Sequence, residues 1–303
     1  MPADDTAEVL DDRDGSPLGW AHPRLGRRGR AKAPRAAHSE RGRTVGKRTH
    51  TIGLAVLAAA VLLPAASAAA ASKYVALGDS YSSGVGTRVF YEESGECDRS
   101  PDAYGPKIAA AEGYTLSFQA CSGATTTEVN SKQLGTLSSS TSLVTITIGG
   151  NDAGFSNVII NCALYYFTCG SAISEANTFI KNSLPGLLET TYKDIRAKAT
   201  TAKVVVLGYP KLFTAEGKTC NVNFLTSGNE KKMNESAELL DSVIKARAEA
   251  SKFTFVNPTK AFESHEVCSS SEWLNGQSLP LSESYHPNVS GQAEFTSLIE
   301  AVL

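Results

Sequence analysis

Residues 73–84 read KYVALGDSYSSG, and this stretch decides the fold. Its first half, residues 73–77, is almost continuously apolar or β-branched, the pattern of a strand covered on both faces. Its second half turns abruptly into Gly78-Asp79-Ser80-Tyr81-Ser82-Ser83-Gly84. Four further runs read as strands: 114–118 (YTLSF), 143–148 (LVTITI), 203–207 (KVVVL) and 253–256 (FTFV). Helical patterns lie between them. Met233, Ala237, Leu240, Ile244 and Ala248 form one apolar stripe, Pro185 suits a first helical turn that carries Leu188, Tyr192 and Ile195 inward, and Phe295, Leu298, Ile299 and Val302 repeat at helical spacing. Strands alternating with helices predict an α/β fold: a three-layer, doubly wound, flavodoxin-like parallel sheet of five strands with helices on both faces. Sites in such sheets form outside the carboxyl ends of the strands, which directs attention to the segments that follow them.

Each of those segments carries something unusual. After the first strand, Ser80 sits on a strand-to-helix turn that presents its hydroxyl at the sheet edge. It is not the G-x-S-x-G elbow, because Ser82 holds the place of the second glycine. Taken alone, the segment reads more readily as a helix cap at Asp79 or Ser80 than as a catalytic turn. After the second strand, Gly123 offers an unshielded backbone N–H. After the third comes Gly149-Gly150-Asn151-Asp152, where the Asn151 amide can face a developing oxyanion, or simply make a turn. Ser284-Tyr285-His286-Pro287 precedes the final helix, with Pro287 expected in its first turn. Of five histidines, His22, His38 and His50 precede the domain, which leaves His265 and His286 as the available general bases. His265 stands among Glu263, Ser264 and Glu266 and reads as a solvated surface residue. His286 is the better base.

The ends of the chain differ sharply in composition. Residues 1–51 are rich in Arg, Lys, Gly and Pro without hydrophobic periodicity, and are expected to be disordered or processed. Residues 52–71, IGLAVLAAAVLLPAASAAAA, follow a basic Lys47-Arg48 pair and end in A-x-A triplets, as a secretory signal peptide does. A membrane anchor of about 20 residues is the other reading, opposed by Pro64 and the weakly hydrophobic alanine tail. The expected organisation is a leader and signal over 1–71 and one catalytic domain over 72–303. The product is expected to be secreted, not stably inserted in a membrane after cleavage, and monomeric. Over the whole 303 residues, 20% charged residues and a formal charge of −2 describe a globular protein. Removing the basic leader leaves an acidic domain, so nucleic acid is not an expected partner.

Six cysteines, Cys97, Cys121, Cys162, Cys169, Cys220 and Cys268, all fall in the domain. An even number in an exported chain predicts disulfides rather than a metal site or a catalytic thiol, without choosing the pairing.

The four segments, in this order, resemble the SGNH (GDSL-type) hydrolases, and the forms YVALGDSYSSG, GGND and YHPN are most similar to the secreted lipases and esterases of actinobacteria. Ser80, Gly123, Asn151 and His286 match the family's Ser, Gly, Asn and His. The resemblance implies a Ser80 nucleophile, a His286 base, and an oxyanion hole from the N–H groups of Ser80 and Gly123 and the Asn151 side chain. It implies no metal and no cofactor, and an ester or lipid substrate. It further implies sequential disulfides: Cys97–Cys121, Cys162–Cys169 and Cys220–Cys268. Two departures stand out. Tyr81 replaces the Leu of the GDSL name, which is expected to affect packing more than chemistry. Glu283 stands where many members carry the Asp that orients the histidine, and either the Glu283 carboxylate or a backbone carbonyl of Glu283 or Ser284 fills that role. Phe90, Tyr91, Phe155, Tyr165, Tyr166 and Phe167 are candidates for an acyl-chain pocket. Acylglycerol or other carboxylic esters are the expected substrates, with a phospholipase A-type acyl hydrolase as the alternative. A catalytically silent binding protein on the same scaffold would require loss of one of the four groups, and none is missing.

Overall fold

The computed structural model describes residues 71–165, 167–214 and 225–303. Residues 1–70 of the expected leader and signal segment, Tyr166 and Cys220 lie outside these described residues. Five strands, β1 (Lys73–Gly78), β2 (Thr115–Phe118), β3 (Thr141–Thr147), β4 (Lys203–Leu207) and β5 (Thr254–Val256), form one sheet in the order β2-β1-β3-β4-β5. Every neighbouring pair is parallel; Val75, for example, stands beside Ser117 on one side and Val144 on the other. This is the doubly wound, flavodoxin-like order, and the chain reverses its direction of travel between β1 and β3. The three central strands are buried on both faces, which is why their sequences are nearly continuous apolar runs: Val75, Leu77, Val144, Ile146, Val205 and Leu207 are all fully enclosed.

The described helices are α1 (Ser80–Ser83), α2 (Tyr104–Glu112), α3 (Thr126–Glu128), α4 (Phe155–Leu164), α5 (Cys169–Asn182), α6 (Leu184–Lys198), α7 (Ser227–Ala250) and α8 (Val289–Glu300). α2 packs on α8, while α4, α5, α6 and α7 pack on one another. The predicted stripe buries Met233, Leu240, Ile244 and Ala248 along α7, and Pro185 opens α6, whose Leu188, Tyr192 and Ile195 are buried. The last helix differs from expectation at its start. Asn288 is its N-cap, accepting from the N–H groups of Ser290 and Gly291, so Pro287 lies before the helix rather than in its first turn.

Two disulfides, Cys97–Cys121 and Cys162–Cys169, join the pairs that the family resemblance implied. Cys268 is also disulfide-bonded, and its expected partner Cys220 is outside the described residues. The first bridge anchors the chain two residues before Gly123; the second closes the turn between α4 and α5. Among the described residues, no helix is long and apolar enough to cross a membrane.

Candidate active site

Ser80 opens α1 directly after β1, at the point where the sheet order reverses. The local sequence makes this turn rigid. Gly78 has φ +123°, and a Cβ there would lie 2.4 Å from the Thr147 carbonyl oxygen, so only glycine fits. Asp79 is the N-cap of α1 and accepts from the Tyr81 N–H at 3.0 Å. The same carboxylate accepts from Thr147 Oγ1 at 2.7 Å and from the Tyr209 hydroxyl. Because a carboxylate only accepts, the donor order behind it is fixed: Tyr104 hydroxyl to Ser82 Oγ (2.6 Å), Ser82 Oγ to Thr147 Oγ1 (2.7 Å), and Thr147 Oγ1 to Asp79. This chain lies in the buried centre of the domain, with Ser82, Tyr104 and Thr147 fully enclosed.

The histidine loop reaches the same point from the far end of the sequence. His286 Nε2 lies 2.7 Å from Ser80 Oγ, and His286 Nδ1 lies 2.8 Å from the Ser284 carbonyl oxygen. A carbonyl cannot donate, so Nδ1 carries the proton and Nε2 is left to accept from the serine. Tyr285, immediately before the histidine, is fully buried with φ +60° and its ring edge-on to Phe213. Such a left-handed residue persists where surrounding structure overrides a cost of about 1–3 kcal/mol. Here main-chain bonds hold it: Tyr285 N–H to Asn275 O and Asn275 N–H to His286 O, both 2.9 Å. The Asn275 amide also donates to the carbonyls of Gly86 and Glu283, at 2.8 and 3.2 Å. Tyr81 joins the two halves, since its hydroxyl donates to the Tyr285 carbonyl at 2.6 Å. The tyrosine in place of the family leucine therefore supplies a buried hydrogen bond as well as packing.

On the other side of Ser80, the loop after β3 holds the loop after β2. Asn151 donates one amide hydrogen to the Ala124 carbonyl at 3.0 Å, which leaves its second hydrogen free of that bond. Asp152 clamps the start of α3, accepting from the Thr126 N–H at 3.0 Å and from its hydroxyl at 2.6 Å. Gly123 is exposed in the left-handed region at φ +74°, and its N–H has no acceptor among the described residues. Ser80, Asn151 and His286 line one cavity, and Gly123 is not among its lining residues.

Burial sets the charges. Desolvation pushes the His286 pKa down to about 4, against a smaller raising effect of its bond to Ser284, so the ring is a neutral base at pH 7. Desolvation lifts Asp79 to about 6, opposed by the hydrogen bonds of Thr147, Tyr209 and the Tyr81 N–H. Tyr209 is raised well above its ordinary value by burial and by the adjacent Asp79 charge, so its hydroxyl remains a donor.

Several expectations are corrected. Glu283 does not reach His286 through either its side chain or its backbone: its carboxylate bonds Arg88 Nε at 2.9 Å, and its carbonyl accepts from Asn275. The Ser284 carbonyl, the remaining alternative among those expected, occupies that place, because the backbone turns at Tyr285. His265 is not a free surface ring; it stacks on Trp273 with centroids 3.6 Å apart, and Nδ1 meets the Ser271 carbonyl oxygen at 2.7 Å. Of the six aromatic candidates for an acyl pocket, Phe155 lines the cavity, while Phe90, Tyr91, Tyr165 and Phe167 do not and Tyr166 is not described. Aliphatic residues absent from that expectation make the walls, among them Val158, Ile159, Leu212, Met233 and Leu240. The helical spacing of Met233 and Leu240 was visible, but spacing alone does not separate a core face from a cavity wall. Tyr209, Thr147 and Asn275 carried no sequence signal, since none lies in a motif.

The residue range 76–294 matches the model of the GDSL-like lipase/acylhydrolase family. Lipase 1 of Streptomyces coelicolor is 45% identical over 242 residues, covering 79% of this chain and 89% of that protein. The solved structure of an extracellular lipase from Streptomyces rimosus superposes with a TM-score of 0.74 at 39% identity, covering 77% of this chain and 100% of that one. A phospholipase A1 structure from Streptomyces albidoflavus also gives a TM-score of 0.74, at 44% identity, covering 77% of this chain and 99% of that one.

Proposed function

Since the chain belongs to the GDSL-like lipase/acylhydrolase family, we propose that it hydrolyses carboxylic esters of acyl lipids through a Ser80 acyl-enzyme. The observation that carries this reading is the Ser80 Oγ–His286 Nε2 contact of 2.7 Å at the wall of an apolar cavity. His286 takes the serine proton as Oγ attacks the ester carbonyl, and the Ser284 carbonyl supports the imidazolium that results. The oxyanion is met by the second Asn151 hydrogen and by the N–H groups of Ser80 and Gly123. Each donor of this kind is worth about 10²–10³ in turnover. His286 returns its proton to the departing alcohol, then activates the water that releases the acid. The apolar walls favour a hydrocarbon acyl chain over a polar one.

The domain acts outside the cell after removal of residues 1–71; the extracellular lipase among its relatives supports this part of the reading. Sequencing the N-terminus of the secreted product tests it, and a product still carrying Leu54 to Leu63 overturns it.

The phospholipase A1 relative favours a second reading, in which the ester cleaved belongs to a phospholipid. Release of p-nitrophenol from short-chain esters by the wild type and by Ser80→Ala tests the nucleophile. A loss of about 10⁴-fold or more is expected, and equal rates would end the assignment. The same enzyme offered triacylglycerol and phospholipid then separates the two substrates.

A further inference from the structure

The wall of the cavity continues onto the protein surface. Ile160 and Leu164 on α4, and Leu281 on the histidine loop, line the cavity that holds Ser80 and are themselves exposed. Beside them in sequence stand large apolar side chains that do not line it. Phe167 is 95% exposed, Leu279 is 88% exposed, and Tyr165 is exposed as well. Two segments of the chain that both line this cavity thus carry large apolar side chains exposed to solvent. Large exposed apolar side chains gathered on the segments that wall a cavity mark an interaction site.

Charge identifies the occupant. Residues 153–174 contain no Asp, Glu, Lys or Arg, and neither do residues 273–282. An anionic surface would be met by Lys or Arg at the rim, and none stands in either segment. At its edge, Arg88 is neutralised by Glu283 at 2.9 Å. The turn that carries Tyr165 and Phe167 is closed at its base by the Cys162–Cys169 disulfide. Its ordering cost is thereby reduced before any contact is made.

We infer that this rim docks the enzyme on the surface of electrically neutral lipid, seating Phe167 and Leu279 among the acyl chains with the cavity mouth facing the lipid. The inference rests on the proposed ester hydrolysis for its purpose, but not for its measurement. An ester extracted from such a surface passes from hydrocarbon to an aliphatic wall without crossing water, which removes the main cost of presenting a long acyl chain to Ser80.

The test is partition onto phosphatidylcholine vesicles by co-sedimentation, with Ser80→Ala as the parent so that no lipid is consumed. Phe167→Ser and Leu279→Ser, made separately in that parent, are expected to weaken partition about tenfold or more each, because each removes a large side chain from the lipid phase. In the otherwise wild-type enzyme, the same substitutions are expected to leave turnover of a soluble short-chain p-nitrophenyl ester within about twofold, since neither residue lines the cavity, while hydrolysis of vesicle lipid falls. Equal partition by parent and variants, or no partition by the parent, overturns the inference. So does a parent that is dimeric by gel filtration and becomes monomeric on either substitution, which would give the rim to a second copy of the chain. A failure of the catalytic reading shows elsewhere, as ester turnover that survives Ser80→Ala, and leaves the partition result standing.

Discussion

The nucleophile turn and the histidine loop meet at one hydrogen bond, yet each is held by different groups. Behind Ser80 the organising group is a side chain. The Asp79 carboxylate gathers the Tyr81 N–H, the Thr147 hydroxyl and the Tyr209 hydroxyl in a buried setting. Behind His286 the organising groups are main-chain carbonyls. Ser284 O orients the ring, Tyr285 O takes the Tyr81 hydroxyl, and the carboxylate of Glu283 faces Arg88. A side-chain hub can be removed by one substitution. A main-chain hub can be disturbed only through whatever fixes its backbone. The two halves of the site should therefore respond very differently to mutation.

The largest effect is expected at Asp79. Asp79→Ala leaves two buried hydroxyls and a helix N-terminus without their acceptor. An unsatisfied buried donor costs about 1–3 kcal/mol and a lost cap about 1, so stability should fall by roughly 3 kcal/mol. Urea unfolding measures this, with turnover falling alongside because the Ser80 turn is no longer held. A stability change below about 1 kcal/mol would mean that the carboxylate is not a hub. Tyr81→Phe comes next, since it removes the single side-chain bond from the nucleophile turn to the backbone beside His286. Its expected cost is about 1–2 kcal/mol, with kcat reduced more than KM because the Ser80–His286 alignment, not the cavity, is what loosens.

The pH profile probes the histidine half. The base works only when Nε2 is unprotonated, and burial holds the His286 pKa at about 4. The kcat/KM value should therefore rise with pH through about 4 and be level above it, where a solvated histidine would give its limb near 6.5. A carboxylate on Nδ1 would raise the limb, because an adjacent negative charge favours the imidazolium. A separate step near pH 6 would report Asp79, whose pKa lies there, and should vanish in Asp79→Asn.

This contrast also explains what the sequence disclosed. The central strands were legible because burial on both faces leaves an unbroken apolar run, and β1, β3 and β4 are of that kind. Ser80, Asn151 and His286 were legible because each is a chemically suited residue in a strand-end or loop segment, and those segments converge on one cavity. Asp79 was visible as a cap, but its buried partners were not, since Thr147 reads as one more strand residue and Tyr209 follows β4 without any motif. The histidine partner was the hardest to read. A carbonyl exists at every position, so its role depends on the positive φ of Tyr285, which no residue type in SYHPN announces. The wall of the cavity was misread because aromatic residues were favoured over the aliphatic faces of α4 and α7.

The smallest expected effect is the sharpest test of the difference between the halves. Glu283→Gln removes the charge from the one carboxylate that occupies the family's orienting position, while leaving its size and backbone unchanged. If Ser284 O holds the histidine tautomer, that change is remote from the reaction. The ion pair with Arg88 has one half-exposed partner, and such pairs contribute about 0–1 kcal/mol. Turnover of a soluble ester should then stay within about twofold of wild type, and the acid limb near pH 4 should not move. Replacing the orienting aspartate of a serine-protease triad by its amide costs about 10⁴-fold in kcat, through the wrong histidine tautomer. A loss approaching that size here would mean that Glu283 leaves Arg88 for His286 during the reaction, and the main-chain account of the histidine loop would fall.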